Sequence, residues 1–181
     1  MFKIIISLIL IAIILIFTTS FFILTFKSIF QPRKRAPYVW TFKRHLITMK
    51  HLNISKNSTL LDLWCGDGKA LRFFNKYYNL KKWNGYDINP YAIIRWKLLN
   101  ILTWNKNISL NHKNFLNINI SWYNYIYLYL RTQQLADIED RIRNNKDQNT
   151  IIISNSFKFK KHKTFKTLKN KKWKDAIFLY K

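Results

Sequence analysis

The chain has 181 residues, 49% of them apolar, with 32 Lys and Arg against 8 Asp and Glu and a formal net charge of +24. That apolar content excludes a disordered chain, and the length beyond the first 30 residues suffices for one hydrophobic core but not two. A single cysteine, Cys65, excludes an internal disulfide, and the scattered His45, His51, His112 and His162 offer no zinc-ligand spacing.

The charge predicts attraction to polyanions, either nucleic acid or anionic lipid. The abundance of Asn, Ile and Lys, which adenine- and thymine-rich genomes favour, accounts for part of it.

From Ile4 to Phe26 the chain runs 23 positions without a charge, between Lys3 and Lys27. A helix of that length is about 34 Å long, enough to cross a hydrocarbon core of ~30 Å. A cleaved signal peptide has a shorter apolar core and a small-residue cleavage site, whereas Phe21, Phe22 and Phe26 end this run. Residues 1–30 are therefore expected to be a transmembrane anchor, in contact with lipid through residues 4–26. Lys27, Arg33, Lys34, Arg35, Lys43 and Arg44 follow the run, and the positive-inside rule places the remaining chain in the cytoplasm.

Residues 31–57 read as a basic linker and a leading helix, with apolar positions at Phe42, Leu46 and Met49. Residues 58–181 read as the folded domain. Thr59–Leu63 is a predicted strand. Lys69–Tyr78 is a predicted helix with Ala70, Phe73, Phe74 and Tyr77 on one face. Trp83–Ile88 is a second strand. Asn89–Leu102 is a second helix, capped by Asn89 with Pro90 in its first turn, and its apolar face is read as Ile94, Leu98, Ile101 and Leu102. Ile108–Leu110 and Tyr125–Leu130 are strands, and Leu135, Ile138 and Ile142 mark a helix. Thr150–Ser154 is a fifth strand, and Thr164–Leu168 with Ala176–Tyr180 form a hairpin. Strands alternating with helices imply an α/β fold: a Rossmann-like domain with a mostly parallel sheet and helices on both faces.

The chemistry-bearing stretch is Leu60-Leu61-Asp62-Leu63-Trp64-Cys65-Gly66-Asp67-Gly68, at the predicted strand-to-helix turn. Open α/β sheets bind ligands at the carboxyl ends of their strands, and a carboxylate about 20 residues beyond a glycine turn is placed to meet ribose hydroxyls. Asp87 ends the second strand, 19 residues after Gly68. Three of the eight acidic residues, Asp62, Asp67 and Asp87, fall in these two spots. Together they point to a nucleoside-containing ligand.

Asp62, Gly66 and Gly68 make the chain resemble the class I S-adenosylmethionine-dependent methyltransferases, whose first motif reads Asp/Glu-x-Gly-x-Gly-x-Gly. Gly85-Tyr86-Asp87-Ile88-Asn89-Pro90 and Pro37-Tyr38-Val39 resemble a narrower group, the membrane-anchored protein lysine methyltransferases. Mitochondrial members of that group modify the ATP synthase c subunit and the adenine nucleotide translocase. The resemblance covers about residues 36–180 and is strongest through residue 102. It implies S-adenosylmethionine as cofactor, held by Asp62, Trp64, Cys65, Gly66, Asp67 and Gly68, by Asp87 and Ile88, and by Asn114 and Phe115. Gly66 and Gly68 would flank the methionine part, Asp87 would bind the ribose, and the amide oxygen of Asn114 would take the place of an Asp at the adenine amino group.

Departures accompany the match. Trp64 stands at the motif's first glycine, and the segment Ser154-Asn155-Ser156-Phe157 lacks the prolines that follow the fifth strand in the narrower group. The chain holds 7 Trp and only 3 Gly, where about a dozen Gly are usual. Trp64 stands in the glycine turn, Trp104 between a helical pattern and a strand, and Trp83 and Trp173 in short polar stretches that lead into strands, while Trp96 lies inside a helix. UGA codons read as tryptophan, in a gene whose own code reads them as glycine, would produce this pattern; so would an adenine- and thymine-rich, aromatic-heavy sequence that tolerates Trp64.

Methyl transfer from a sulfonium needs positioning and desolvation more than acid–base chemistry. No catalytic dyad is evident. Tyr129, at the end of the fourth strand, is the substrate-side candidate, against a plain packing role in the alternation Tyr123, Tyr125, Tyr127, Tyr129. Lys158–Lys174 carries nine lysines and no acid, suited to anionic lipid, to nucleic acid or to a solvated sheet edge. A membrane-anchored enzyme that N-methylates a protein lysine is expected. The alternatives are an RNA methyltransferase and a non-catalytic basic binding module.

Overall fold

The computed structural model describes residues 2–29, 41–78, 80–103, 107–170 and 176–181. Residues 31–37, Pro37-Tyr38-Val39, Trp104 and Trp173 lie outside the described residues. The chain divides into two units, Met1–Pro37 and Tyr38–Lys181. The first holds α1 (Phe2–Ile29), whose stretch Ile4–Ile23 is long and apolar enough to cross a membrane and is exposed along its length.

The second unit is built on seven strands in the order β3-β2-β1-β4-β5-β7-β6. They are β1 (Thr59–Leu63), β2 (Lys82–Asp87), β3 (Ile108–His112), β4 (Tyr125–Leu128), β5 (Ile151–Asn155), β6 (Lys166–Lys169) and β7 (Ala176–Tyr180). The first five are parallel, and β7 pairs antiparallel with both β5 and β6. The Rossmann-like reading stands, and the tail forms the expected hairpin.

The strand order reverses between β1 and β4. Right-handed crossovers therefore put α3 (Lys69–Tyr78) and α4 (Pro90–Thr103) on one face and α5 (Thr132–Asn145) on the other. The short α2 (Lys43–Met49) shares the α3 face, where Leu46 and Met49 join Leu60, Phe74, Trp83, Tyr127 and Ile153 in one buried cluster. Each fully buried Leu, Ile or Phe contributes about 1.5–3 kcal/mol. Leu135, Ile138 and Ile142 of α5 are buried, as their spacing predicts.

Two helix faces differ from the reading. In α4 the buried residues are Ala92 and Ile93, while Ile94 and Leu98 are exposed. Apolar residues run all round this helix, so their spacing does not select a face. In α3, Tyr77 is exposed and Leu71 takes its place in the core. Trp83, read at the point where a polar turn gives way to the second strand, lies within β2, fully buried and stacked on Phe74 at 6.1 Å. It is a core residue that needs no codon explanation.

Candidate active site

β1 ends where the strand order switches, and the chain turns there into α3. Its N–H groups at Trp64 and Cys65 both donate to the Tyr86 carbonyl, at 2.9 and 3.1 Å, which ties the turn to β2. The Gly68 N–H closes the turn on the Cys65 carbonyl at 2.8 Å. Gly66 and Gly68 have φ of +54° and +73°. At Gly68 a Cβ would also lie 2.7 Å from Leu110 Cδ1. Gly85 is required for space: a Cβ there would meet Cys65 Sγ at 2.7 Å.

Asp87 ends β2 and reaches back to this turn. Its Oδ2 accepts the Gly66 N–H at 2.8 Å, and its Oδ1 accepts the Asn89 N–H at 2.8 Å. Burial pushes its carboxyl above the ordinary range, and the N–H groups of Asn89 and Gly66 pull it back in part. Asn89 caps α4 through the Tyr91 N–H at 3.0 Å, as expected. Ile88 is half-buried, and its carbonyl meets His112 Nε2 at 3.0 Å.

Asp62 lies one strand over, paired in register with Gly85 and Tyr127. It is 2% exposed, and its Oδ1 has no hydrogen-bond partner among the described residues. Burial, then the nearby Asp87 charge, pushes this carboxyl well up. Burial and the charges of Asp62 and Asp87 likewise push the Cys65 thiol up, so it is a protonated packing group and no nucleophile. The Asp67 side chain is turned to Arg72 and Arg95, each at 3.5 Å, and accepts the Lys69 N–H at the start of α3.

Trp64 is the anomaly of the turn. Its φ is +78°, a left-handed backbone that costs a non-glycine residue about 1–3 kcal/mol. Its indole lies against Phe115, ring centroids 4.3 Å apart, with Nε1 buried and without a partner among the described residues. Asn114 is exposed, and its Oδ1 accepts the Leu116 N–H at 3.0 Å, capping a single 3-10 turn.

The structure thus brings Asp62, residues 64–68, Asp87, Ile88, Asn114 and Phe115 to the carboxyl ends of β1, β2 and β3. Tyr129 follows β4 on the other side of the switch, half-buried and edge-on to His45 at 5.3 Å. Sequence reasoning missed His45, Tyr127 and Asn155 as members of this neighbourhood. A lone histidine in a basic segment carries no local signal, and its contact with Asn155 spans 110 residues.

Solved methyltransferase structures share this architecture. An RNA methyltransferase from Salinibacter ruber, in complex with S-adenosyl-L-homocysteine, matches with a TM-score of 0.70 at 16% identity, over 78% of this chain and 92% of that one. A ribosomal protein L11 methylase from Lactobacillus delbrueckii subsp. bulgaricus matches at 0.61 and 10% identity, over 75% and 74%. A precorrin-6y C5,15-methyltransferase from Geobacter metallireducens matches at 0.55 and 10% identity, over 78% and 87%. No protein-family model and no curated protein matches the sequence. At these identities the likeness is one of fold: the chain has the Rossmann-like fold of these methyltransferases.

Proposed function

We propose that the chain is an S-adenosylmethionine-dependent methyltransferase, anchored in a membrane through residues 4–26, that N-methylates a lysine of a membrane-associated protein from the cytoplasmic side. The observation that carries the cofactor is the buried Asp62 carboxyl beneath the positive-φ turn at the switch point, whose Oδ1 has no hydrogen-bond partner among the described residues. An unpaired buried carboxylate is costly, and a cationic ligand offsets that cost. The methionine end of the cofactor carries an ammonium suited to Asp62. Gly66 and Gly68 let the backbone pass close to it.

Each Asp87 oxygen takes one backbone N–H and keeps acceptor capacity for a ribose hydroxyl. Ile88 and Phe115 supply apolar contacts for the adenine, and the Asn114 oxygen has a second lone pair for its amino group. When bound, the cofactor supplies a sulfonium-activated methyl for in-line displacement. The chain's own residues bind, orient and exclude water. Trp64 alone does not fit, because its indole occupies the Phe115 side of the turn. Residue 64 is on this reading a glycine in the native enzyme.

The lysine acceptor follows from the resemblance of Gly85–Pro90 to the membrane-anchored group. The net charge of +24 favours RNA as the second reading. Native membranes incubated with the full chain and methyl-labelled S-adenosylmethionine decide between them. The account expects label in protein, recovered as N-methyl-lysine on hydrolysis. Label in RNA replaces the acceptor, and no transfer with no cofactor binding leaves the basic binding module.

A further inference from the structure

A buried polar chain crosses the carboxyl side of the sheet beyond Asp62. Asp62 on β1 pairs in register with Tyr127 on β4, and Tyr127 with Ile153 on β5. Two residues further along the chain stand Tyr129, just past β4, and Asn155, the last residue of β5. Asn155 is fully buried, and its Nδ2 lies 3.0 Å from Tyr127 Oη and 3.4 Å from His45 Nδ1. The amide is held in that orientation because the Ser156 hydroxyl donates to its Oδ1 at 3.0 Å. Ser156 itself has φ of +67°, an uncommon backbone for a residue with a Cβ.

His45 comes from α2 and is 3% exposed. Its ring stands edge-on to Tyr129 at 5.3 Å and to Phe42 at 5.7 Å. Burying a histidine and an asparagine where apolar side chains would pack costs free energy unless each is hydrogen-bonded in a fixed geometry. A core needs no such chain, whereas a reacting centre does, since a displacement of about 1 Å there costs about a hundredfold in rate.

We propose that His45 is a positioning residue for methyl transfer, held by Asn155 and acting through the Tyr129 ring, which borders the space where the acceptor amine meets the methyl group. The inference rests on the methyltransferase reading above and adds the acceptor side to it. Tyr129 makes the contact. His45 and Asn155 set its ring, Asn155 is bonded to Tyr127, and the register pairing of Tyr127 with Asp62 puts this group one strand from the cofactor turn.

The test compares two probes on the full chain in detergent micelles, in the parent and in a Trp64→Gly background. S-adenosylhomocysteine lacks the transferring methyl, whereas sinefungin places an amine-bearing carbon where the sulfonium and its methyl stand. A residue that shapes the transfer space therefore changes the ratio of the two affinities, while a merely structural residue weakens both alike. His45→Ala is expected to shift that ratio by about tenfold, the effect of one contact of hydrogen-bond strength, with S-adenosylhomocysteine affinity unchanged. His45→Phe keeps an aromatic edge against Tyr129 but loses the contact with Asn155 that sets the ring, so the shift persists. Tyr129→Ala matches His45→Ala, and the double variant adds nothing further. If His45→Ala does not fold, Asn155→Ser, which releases His45 Nδ1, shows the same shift.

An unchanged ratio in these variants, or independent additive effects of His45 and Tyr129, overturns the proposal while leaving the cofactor site standing. Failure of both backgrounds to bind either probe overturns the methyltransferase reading, and this inference with it.

Discussion

The Gly66 N–H donates to the Asp87 carboxylate across 2.8 Å, so the glycine turn after β1 is held by the acid that ends β2. One side chain thereby shapes the turn and presents acceptor oxygens beside it. Asp87→Ala removes both functions. A hydrogen bond to a charged group contributes about 1.5–3 kcal/mol, so S-adenosylmethionine binding is expected to weaken at least about tenfold. Calorimetry on the full chain checks this, and an unchanged affinity places the ribose elsewhere.

Asp62 makes a prediction of opposite sign for stability and binding. Burial and the Asp87 charge raise its carboxyl in the folded chain, so folding disfavours its ionised form. The destabilisation is present above the raised folded value and is relieved as pH falls toward the ordinary carboxylate value of about 3.9. Asp62→Asn is therefore expected to melt higher at neutral pH, with the gain shrinking as pH falls. It is also expected to bind S-adenosylmethionine more weakly. In the unmutated chain the cofactor's ammonium favours the ionised form, so at a pH where the free chain holds this raised carboxyl protonated, binding releases a proton. Calorimetry in two buffers of different ionisation enthalpy reads the sign, and proton uptake contradicts the assignment.

Glu139 of α5 is buried and pins the start of the lysine-rich tail. It accepts the N–H groups of Lys160 and Lys161 at 3.1 and 2.7 Å and meets His162 Nδ1 at 2.6 Å. Burial works against its charge, but His162 and the two N–H groups outweigh it, and its carboxyl is held below the ordinary range. That stabilisation is present above the ordinary carboxylate value and is lost as pH falls through the lowered one. Leaving a buried hydrogen-bonding group without its partner costs about 1–3 kcal/mol, so Glu139→Ala is expected to unfold at lower urea and to expose residues 158–163 to trypsin. Unchanged urea and proteolysis profiles would mean that the tail is held by other contacts.

The run from Ile4 to Phe26 predicts that the full chain stays with membranes through high salt and is released by detergent. Release by salt alone would leave only electrostatic attachment.

How much of this was legible in sequence depended on how local each signal was. The Asp62–Gly68 turn and Asp87 were readable because a strand, a glycine pair and a following acid lie close together, between Thr59 and Asp87. The buried face of α5 was readable because Leu135, Ile138 and Ile142 are its only strongly apolar positions. The face of α4 was not, because Ala92, Ile93, Ile94, Leu98 and Leu99 surround the helix and tertiary packing makes the choice. His45 was not legible either, since its partners Tyr129, just past β4, and Asn155, at the end of β5, lie far along the chain and only the folded sheet brings them together.

The most direct test of the account is the residue at the first glycine of the motif. Trp64 carries a φ of +78° and sets its indole on Phe115, where the cofactor is expected to lie. In a packed core, removing so large a side chain destabilises by about 3–5 kcal/mol. Here relief of the left-handed strain offsets part of that loss, and the vacated space admits the ligand. Titration of the full chain and of its Trp64→Gly variant with S-adenosylhomocysteine, under the same conditions, is predicted to show one binding site with clearly higher affinity in the variant. Equal affinity in the two forms, or binding in neither, would contradict the placement of the cofactor on the turn from Asp62 to Gly68.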